Sequence, residues 1–366
     1  MTKVIISGGG TGGHIFPAIA IAKAIRAIEP GADILFIGAK GRMEMEKVPA
    51  AGFPVKGLPV SGFQRRLTVK NLSFPFKLAA SMIKAYWVVR RFNPDVVIGV
   101  GGYASGPTLR IASHLGIPTL IQEQNSYPGV TNRILAKKVS KICVAYEGME
   151  KYFPAEKIIM TGNPVREDIR NIIQHDQKAY EYFNLDPAKK TVLVTGGSLG
   201  SGTINESIQS CIGMNLDREM QFLWQTGRNY YESILVFLSD GNFPNVKVHA
   251  FIDRMDLAYS CADLVISRAG AIAISEICVA GKAAILIPSP NVTEDHQTRN
   301  AKALEEKEAA VLLKDQDAKE HLHTLIRQLI RDERKTDLMR TNVSTLAITN
   351  ASDRIAHEAL SLKKNQ

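Results

Sequence analysis

One pattern occurs twice in the 366-residue chain, and it constrains the fold more than any other feature. Near the start, the β-branched segment Lys3–Ser7 leads into the glycine run at 8–13 and then into residues with helical spacing. Near the middle, Thr191–Thr195 leads into a second glycine run at 196–200. Strands that alternate with helices imply parallel sheets covered on both faces. The repeat therefore predicts two doubly wound α/β domains that face each other.

Further short apolar segments continue this alternation and define the predicted domains. The predicted strands are 34–37, 96–100, 119–121 and 142–144 in the first half, and 221–224, 246–248, 264–266 and 284–287 in the second. Gly162-Asn163-Pro164 interrupts the periodicity, so we predict domains at 1–162 and 163–344. A helical segment at about 345–366 is a candidate to pack back on the first domain. Ligands of such sheets bind beyond the carboxyl ends of the strands, so we expect a site in the cleft between the domains.

Composition places the chain among ordinary globular proteins. Hydrophobic residues make up 45% and charged residues 22%, which argues against disorder and coiled coil. No apolar run approaches the roughly 20 residues of a membrane span. The first residues enter a strand directly, and four scattered cysteines form no C-x-x-C pair. The sequence therefore predicts a cytoplasmic protein with reduced thiols.

The first glycine loop matches the dinucleotide-binding pattern G-x-G-x-x-G through Gly8, Gly10 and Gly13. That fingerprint needs an acid at the end of the second strand, and the segment 37–40 supplies none. His14 follows the loop directly, where a dinucleotide does not need an imidazole. Unpaired N–H groups at a helix start attract a phosphate or an oxyanion. His14 is thus a candidate general base, with a helix-capping role as the alternative.

The second half carries features of a nucleotide site. Ser198 follows a strand, where it can cap the next helix or bind a phosphate oxygen. Glu276 lies about two turns into the helix that follows Arg268-Ala269-Gly270, a place suited to the hydroxyls of a ribose. The polar loop 291–297 offers amide groups to a sugar, and a helix is predicted from about Thr298.

At this point the motifs resemble those of the MurG family of peptidoglycan glycosyltransferases over residues 3 to 350. The segments that carry the resemblance are Gly8–Pro17, Gly101–Pro107, Glu123-Gln124-Asn125, Gly162–Arg166, Gly196-Gly197-Ser198 and Ser267–Glu276. The resemblance implies a GT-B fold, with the acceptor on the first domain and the donor mainly on the second. It implies transfer of N-acetylglucosamine (GlcNAc) from UDP-GlcNAc to lipid I, giving lipid II and UDP.

The resemblance also implies roles for individual residues. His14 is the implied catalytic base. The implied substrate-binding residues are Thr11, Gly12 and Gly13 near the donor sugar and pyrophosphate, Asn125 at the GlcNAc, Arg166 and Ser198 at the diphosphate, Ile252 at the uracil through its backbone, Ala271, Ile272, Ala273, Ile274, Ser275 and Glu276 around pyrophosphate and ribose, and Gln297, with His296, at the sugar. No Asp-x-Asp motif ends a strand near these loops, so a catalytic metal is not implied, and the resemblance implies no cofactor.

Three positions depart from the family's usual pattern. Gln122 stands where the family commonly has histidine, and Leu199 replaces a glutamine in the second glycine loop. His296-Gln297 stands where two adjacent glutamines are frequent. These departures concern individual donor contacts and leave the implied activity unchanged.

The net charge of +9 is concentrated in part of the first half. Between residues 62 and 93 there are seven basic residues and no acidic ones. Lys77, Lys84 and Arg91 recur every seven residues on a predicted helix. The aromatic and apolar residues Phe74, Phe76, Met82, Ile83, Tyr86 and Trp87 are interleaved with them, and Arg65, Arg66 and Lys70 precede them.

Because lipid I carries an undecaprenyl tail, the family resemblance gives this basic stretch a role. It predicts peripheral docking on an anionic membrane surface, at the cytoplasmic face of the inner membrane. The alternative is that Ile83 and Trp87 belong to the core, and we expect one face of the helix to be buried and the other to meet lipid. A cell-wall synthesis complex is a further candidate partner. Nucleic acid is disfavoured because no reader motif is present.

The resemblance further implies an inverting reaction, because an α-linked donor gives a β-1,4-linked product in one in-line displacement. Alternative functions stay open on the residues alone. They are a UDP-GlcNAc 2-epimerase, a glycolipid synthase of the same fold, a nicotinamide oxidoreductase and a non-catalytic binding module.

Overall fold

A computed structural model describes residues 1–10, 12–60, 74–292 and 295–363. The chain divides into two compact units, one made of residues 1–166 together with 350–366, and the other of residues 167–349. The division between them falls after Arg166, whereas the sequence suggested a boundary after Gly162. Arg65, Arg66 and Lys70, which belong to the predicted basic stretch, lie outside the described residues.

The first unit contains a seven-stranded parallel sheet with the order β3-β2-β1-β4-β5-β6-β7. Its strands are β1 (Lys3–Ser7), β2 (Asp33–Ala39), β3 (Val55–Leu58), β4 (Val96–Gly99), β5 (Thr119–Glu123), β6 (Lys141–Val144) and β7 (Ile158–Met160). The helices between them are α1 (Gly12–Ile28), α2 (Glu44–Ala50), α3 (Phe74–Phe92), α4 (Ser105–His114) and α5 (Val130–Leu135).

The second unit contains a six-stranded parallel sheet with the order β10-β9-β8-β11-β12-β13. Its strands are β8 (Thr191–Thr195), β9 (Gln221–Gln225), β10 (Val246–His249), β11 (Leu264–Ser267), β12 (Ala283–Leu286) and β13 (Val311–Leu312). Its helices are α6 (Glu167–Arg170), α7 (Gln177–Phe183), α8 (Gly202–Gly213), α9 (Tyr231–Ser239), α10 (Met255–Cys261), α11 (Ala271–Ala280), α12 (His296–Glu305), α13 (Ala318–Arg331) and α14 (Glu333–Thr345).

The last helix, α15 (Ala351–Leu360), returns to the first unit and packs against α1. The helical segment predicted at about 345–366 contains α15 and is longer than that helix, since α14 ends at Thr345 and α15 begins at Ala351. Lys141 donates to Glu358 at 2.6 Å and holds α15 beside β6.

Both faces of the first sheet are buried, which explains why its central strand β1 carries the consecutive apolar residues Val4, Ile5 and Ile6. Val4 and Ile6 pack with α1 and α15 on one face, in one core cluster. Ile5 and Val97 pack with α3, α4 and α5 on the other. The ten predicted strands are confirmed, whereas β3, β7 and β13, which have two to four residues each, were not predicted.

The sequence led us to expect no membrane-spanning helix and reduced cysteines in the core. None of the helices in the described part of the chain is long and apolar enough to cross a membrane. All four cysteines are buried, and burial raises the pKa of each thiol to about 12.

Candidate active site

In each unit, the point where the strand order reverses marks the place where ligands bind such sheets. In the first sheet this point lies between β1 and β4, and in the second between β8 and β11. The loops at the carboxyl ends of these four strands include the glycine-rich segments found in the sequence.

The two loops of the first edge touch through their backbones. Gly102 has φ +82°, and a side chain there would overlap the carbonyl oxygen of Gly9. A side chain at Gly8 would overlap Val100, the residue that follows β4. Glycine is needed at these positions because the chains approach too closely for a Cβ atom.

A buried carboxylate holds the first glycine loop in place. Glu44, at the start of α2, accepts hydrogen bonds from the Gly10 N–H at 3.1 Å and the Ala39 N–H at 2.8 Å. The sequence showed no acid at the end of β2, and Glu44 reaches that point from the next helix. Since both oxygens already bind backbone N–H groups, Glu44 serves the loop itself. No spacing rule in the sequence indicated this contact.

His14 is the third residue of α1 and is half-buried. Its imidazole lies against Gly101, where an added Cβ would be 2.7 Å from Cδ2 and 2.8 Å from Nε2. His14 therefore lies inside the helix rather than at its cap, and it faces the loop that follows β4. Gly12 and Gly13 are the first two residues of α1, and Thr11 lies outside the described residues.

Three buried amide side chains fix the loops around His14. Gln122 donates to Asn163 Oδ1 at 3.0 Å, and Asn163 donates to the Gln124 carbonyl at 3.0 Å. Gln124 in turn donates to the Val100 carbonyl at 2.8 Å. Gln122, one of the departures from the family pattern, is thus part of this hydrogen-bonded network.

Glu123 orients Asn125, the predicted GlcNAc contact. The backbone N–H and the side-chain amide of Asn125 donate to Glu123 Oε1 at 3.0 and 3.3 Å. The other oxygen accepts from the Gly129 N–H at 3.0 Å and from Asn132 at 2.8 Å. Burial raises the pKa of Glu123, and these hydrogen bonds act in the opposite direction. The sequence motif contained Glu123 without indicating this role.

Arg166 belongs to the first unit, although the predicted domain boundary placed it in the second. Its guanidinium carbon lies 5.8 Å from the centre of the Phe16 ring, two residues after His14 on α1. The structure therefore places the predicted diphosphate ligand Arg166 near the start of α1.

In the second unit, the glycine loop follows β8 and leads into α8. Ser201 caps this helix by accepting from the Ile204 N–H at 3.3 Å. The alternative that Ser198 caps the helix is therefore wrong, because the loop continues for three more residues before the helix starts. Ser198 is half-buried in the loop, and the Leu199 side chain is 71% exposed.

Arg268 joins three strand ends of this edge. It donates to Ser201 Oγ at 2.6 Å and to the carbonyls of Ile287 and Pro288, both at 3.1 Å. It also forms a salt bridge with Asp315. The sequence motif contained Arg268 but did not reveal this positioning role, which depends on contacts far apart in the chain.

Helix α11 begins at the same carboxyl edge, after the turn that follows β11. Gly270 precedes it and makes no side-chain cap, so the first N–H groups of the helix are available to a ligand. Of the six predicted residues, Ala271 and Ile274 are buried, and Ile272, Ala273, Ser275 and Glu276 are half-buried. Glu276 accepts a long hydrogen bond from the Tyr259 hydroxyl at 3.5 Å.

The remaining predicted donor residues follow β10 and β12. Ile252 is buried, and its N–H donates to Gln225 at 2.8 Å. Helix α12 begins at His296 rather than near Thr298, so His296 and Gln297 form its first turn. Gln297 Oε1 accepts from the Ser289 N–H at 2.9 Å, which leaves its NH2 group for a sugar.

Comparison with protein families gives two matches that together span most of the chain. Residues 4–144 match the glycosyltransferase family 28 N-terminal domain, and residues 191–355 match the glycosyltransferase family 28 C-terminal domain.

Several curated relatives are similar over nearly their full length. A protein of Parabacteroides distasonis is 53% identical over 98% of both chains, and one of Flavobacterium psychrophilum is 50% identical over 100% of this chain and 98% of its own. Each is named UDP-N-acetylglucosamine--N-acetylmuramyl-(pentapeptide) pyrophosphoryl-undecaprenol N-acetylglucosamine transferase.

Solved structures share the architecture. MurG of Acinetobacter baumannii is 28% identical, with a TM-score of 0.77 over 99% of this chain and 100% of its own. The UDP-GlcNAc 2-epimerase of Neisseria meningitidis has a TM-score of 0.70 over 99% of this chain and 100% of its own, at 16% identity. The second likeness extends to the fold alone.

Proposed function

Since the chain belongs to the MurG family within glycosyltransferase family 28, we propose that it transfers GlcNAc from UDP-GlcNAc to the 4-hydroxyl of the MurNAc sugar of lipid I. The observation that carries this proposal is the identity of 50% or more, over nearly full length, with relatives named for that transfer. The GT-B fold agrees with it.

The second unit suits the UDP part of the donor. Ser198 and the first N–H groups of α11 form an edge that can hold the diphosphate. Glu276 can accept from the ribose hydroxyls, and the backbone of Ile252 can meet the uracil. Asn125 and Gln297 each keep polar atoms for the transferred sugar, and Arg166 adds a positive charge for the diphosphate.

The chemistry is a single displacement at the anomeric carbon of GlcNAc. The acceptor O4 attacks C1 while the bond from C1 to the UDP oxygen breaks, and that electron pair leaves with UDP. The O4 proton passes to the imidazole of His14, whose ordinary pKa near neutrality suits a general base. Preorganised N–H groups that stabilise the charge developing on UDP contribute the larger part of the rate increase.

One face of α3 supports the proposed docking on a membrane. Ile83 and Trp87 are 62% and 64% exposed, while Ser81, Ala85 and Val89 form the buried side of the helix. The alternative that Ile83 and Trp87 are core residues is therefore wrong. With Phe76, they make an apolar strip along the exposed face, and Lys77, Lys84 and Arg91 lie beside it.

A basic groove beside α3 extends this surface. It has a volume of about 530 Å³, and its lining residues are Met82, Arg110, Ile111, Ser113, His114 and Lys138. Among the described residues, no carboxylate pairs with Arg110, His114 or Lys138. We propose that α3 and this groove form one docking surface for an anionic bilayer, where each Lys or Arg contributes about 1 kcal/mol.

A product assay tests the activity. Purified protein receives labelled UDP-GlcNAc and a lipid I analogue, and we expect a β-1,4-linked disaccharide together with released UDP. Formation of UDP-ManNAc without acceptor would support the epimerase instead, and transfer to diacylglycerol the glycolipid synthase. A crystal soaked with UDP-GlcNAc adds a structural test, because sugar density away from Ser198 and Glu276 would contradict the proposed site.

Vesicle binding tests the docking surface. The double variant I83D/W87D should bind phosphatidylglycerol vesicles at least tenfold more weakly, because both exposed side chains become charged. L338D is the matched control, since Leu338 is an exposed leucine on α14 of the other unit. Turnover of a soluble acceptor analogue should be unchanged in both variants. Equal vesicle binding by all three proteins would rule out α3 as the contact.

A further inference from the structure

Gln225 is a buried side chain with no part in the mechanism above. It is the last residue of β9 and is only 4% exposed. Its Nε2 donates to Thr195 Oγ1 at 3.0 Å and to the Gly197 carbonyl at 3.1 Å. Its Oε1 accepts from the Ile252 N–H at 2.8 Å. One amide group on β9 therefore joins two other chain segments at the carboxyl edge of the second sheet.

The first of these segments is the glycine loop. Gly197 has φ +86°, and its N–H donates to Thr195 Oγ1 at 3.2 Å. Gln225 holds the same Thr195 hydroxyl and the carbonyl of the same glycine. The conformation of the loop ahead of Ser198 thus depends on both side chains.

The other segment is the backbone at Ile252. Its N–H is used by Gln225, while no described residue donates a hydrogen bond to its carbonyl oxygen. The backbone group that Ile252 offers to a ligand is therefore an acceptor. A base bound there must present an N–H, as uracil does at N3.

We propose that Gln225 is a positioning residue for the uridine diphosphate part of the donor. It fixes the carbonyl group of Ile252 relative to the glycine loop. The uracil base of one bound ligand can then contact Ile252 while its diphosphate contacts the loop. This inference rests on the proposed function. Gln225 does not touch the reacting atoms, and it acts through Ile252 and Gly197.

The expected effect of a Gln225 variant on KM and kcat follows from the fact that Gln225 does not touch the reacting atoms. Contacts with the uridine, unlike those that stabilise charge on the leaving diphosphate, are made alike in the ground state and the transition state, so losing them raises KM and leaves kcat nearly unchanged. Gln225→Met keeps the side-chain volume and removes the hydrogen bonds. We expect KM for UDP-GlcNAc and Kd for UDP to rise about tenfold, with kcat within twofold of wild type.

The same strand supplies a matched control. Gln221, at the other end of β9, is 2% exposed and donates to the Asp186 carbonyl at 2.7 Å and to Thr191 Oγ1 at 2.9 Å. Gln221→Met should cost comparable stability because it also breaks several buried hydrogen bonds. It should leave KM for UDP-GlcNAc unchanged, because Gln221 lies at the amino edge of the sheet.

The experiment measures urea unfolding, UDP binding by calorimetry and the two kinetic constants for wild type, Q225M and Q221M. A higher KM in Q225M alone supports the inference, and equal KM values in both variants overturn it. Thr195→Val is a second variant, and its effect on KM should not add to that of Q225M, because both act on Gly197. Additive effects would count against a shared role.

A modified nucleotide tests the acceptor at Ile252. Wild type should bind N3-methyl-UDP at least tenfold more weakly than UDP, because the methyl group replaces the required N–H. Equal affinities would overturn the role given to the Ile252 carbonyl. If wild type binds no UDP at all, the proposed function fails, whereas normal UDP binding with an unaffected Q225M removes only this inference.

Discussion

The two carboxyl edges use the same loop pattern but hold it with opposite chemistry. In the first unit a carboxylate, Glu44, binds the N–H of Gly10, and a second buried carboxylate, Glu123, lies at the end of β5. In the second unit the neutral side chains of Gln225 and Thr195 hold Gly197, and the guanidinium of Arg268 donates to Ser201 at the end of the loop.

This difference separates the tasks that each edge can perform. In the first loop the carboxylate of Glu44 occupies the Gly10 N–H, so that donor is not offered to an anion, and the same edge carries the candidate base His14. The second loop is held by neutral side chains, which place no negative charge beside an anion, and this suits the edge that carries Ser198. A glycine-rich loop after a strand therefore does not by itself indicate phosphate binding.

The largest expected effect concerns the base of the first edge. His14→Ala should lower kcat by about 10²–10⁴-fold, because general-base catalysis contributes that much, while Kd for UDP stays within twofold. His357→Ala, an exposed histidine on α15, is the control. Turnover assays and calorimetry measure the two quantities. An equal loss of turnover and UDP affinity would show that His14 belongs to the nucleotide site instead.

The next effect concerns the nucleotide edge. Glu276→Ala should weaken UDP binding by about 10–100-fold, because two charge-assisted hydrogen bonds to the ribose are lost. Glu305→Ala, at the exposed end of α12, is the control. Unchanged UDP affinity in calorimetry would remove Glu276 from the ribose and with it the proposed division of tasks.

The proposed difference between the two edges depends on Glu44, the carboxylate that binds the first glycine loop. Glu44→Gln should lower the free energy of unfolding by about 1–3 kcal/mol, because one of two buried N–H donors then faces an NH2 group. Glu46→Gln, exposed on the same helix, should change it by no more than about 0.5 kcal/mol. Urea denaturation measures both. Equal stability of the two variants would mean that Glu44 does not hold the loop.

The second carboxylate of this edge should be visible in the pH dependence of stability. Burial raises the pKa of Glu123 above its ordinary value of 4.5. Its ionisation then disfavours the folded state, so the stability it contributes is complete below pH 4.5 and is lost as pH rises through the raised pKa. Relative to Glu123→Gln, wild type should lose about 1.4 kcal/mol for each unit by which the pKa is raised. Parallel urea curves from pH 4.5 to 7.5 measure this, and a constant difference would contradict it.

The smallest expected effect concerns Leu199 in the second loop. Since its side chain is 71% exposed, Leu199→Gln should change the free energy of unfolding by less than about 0.5 kcal/mol. A change in KM for UDP-GlcNAc of no more than threefold would fit a loop whose backbone makes the contacts. A larger change would assign the side chain a direct part in donor binding.

Sequence reasoning found the parts of the molecule that depend on local pattern. Strand β1 and the loop after it, for example, follow from a β-branched run that ends in glycines. Glu44, Arg268 and Gln225 could not be identified in this way. Each acts through backbone groups that are distant along the chain, and only the packed fold brings those groups within hydrogen-bond range. The alternative of a helix cap at Ser198 arose for a related reason, because both Ser198 and Ser201 satisfy the local rule.

The return of the chain to the first unit has a consequence for its biosynthesis. Ile355, Ala356 and Ala359 of α15 belong to the same core cluster as α1 and β1. The ribosome makes this helix only after the whole second unit has been produced. The core of the first unit is therefore completed only after the second unit has been synthesised, and until then part of the apolar surface of α1 stays uncovered.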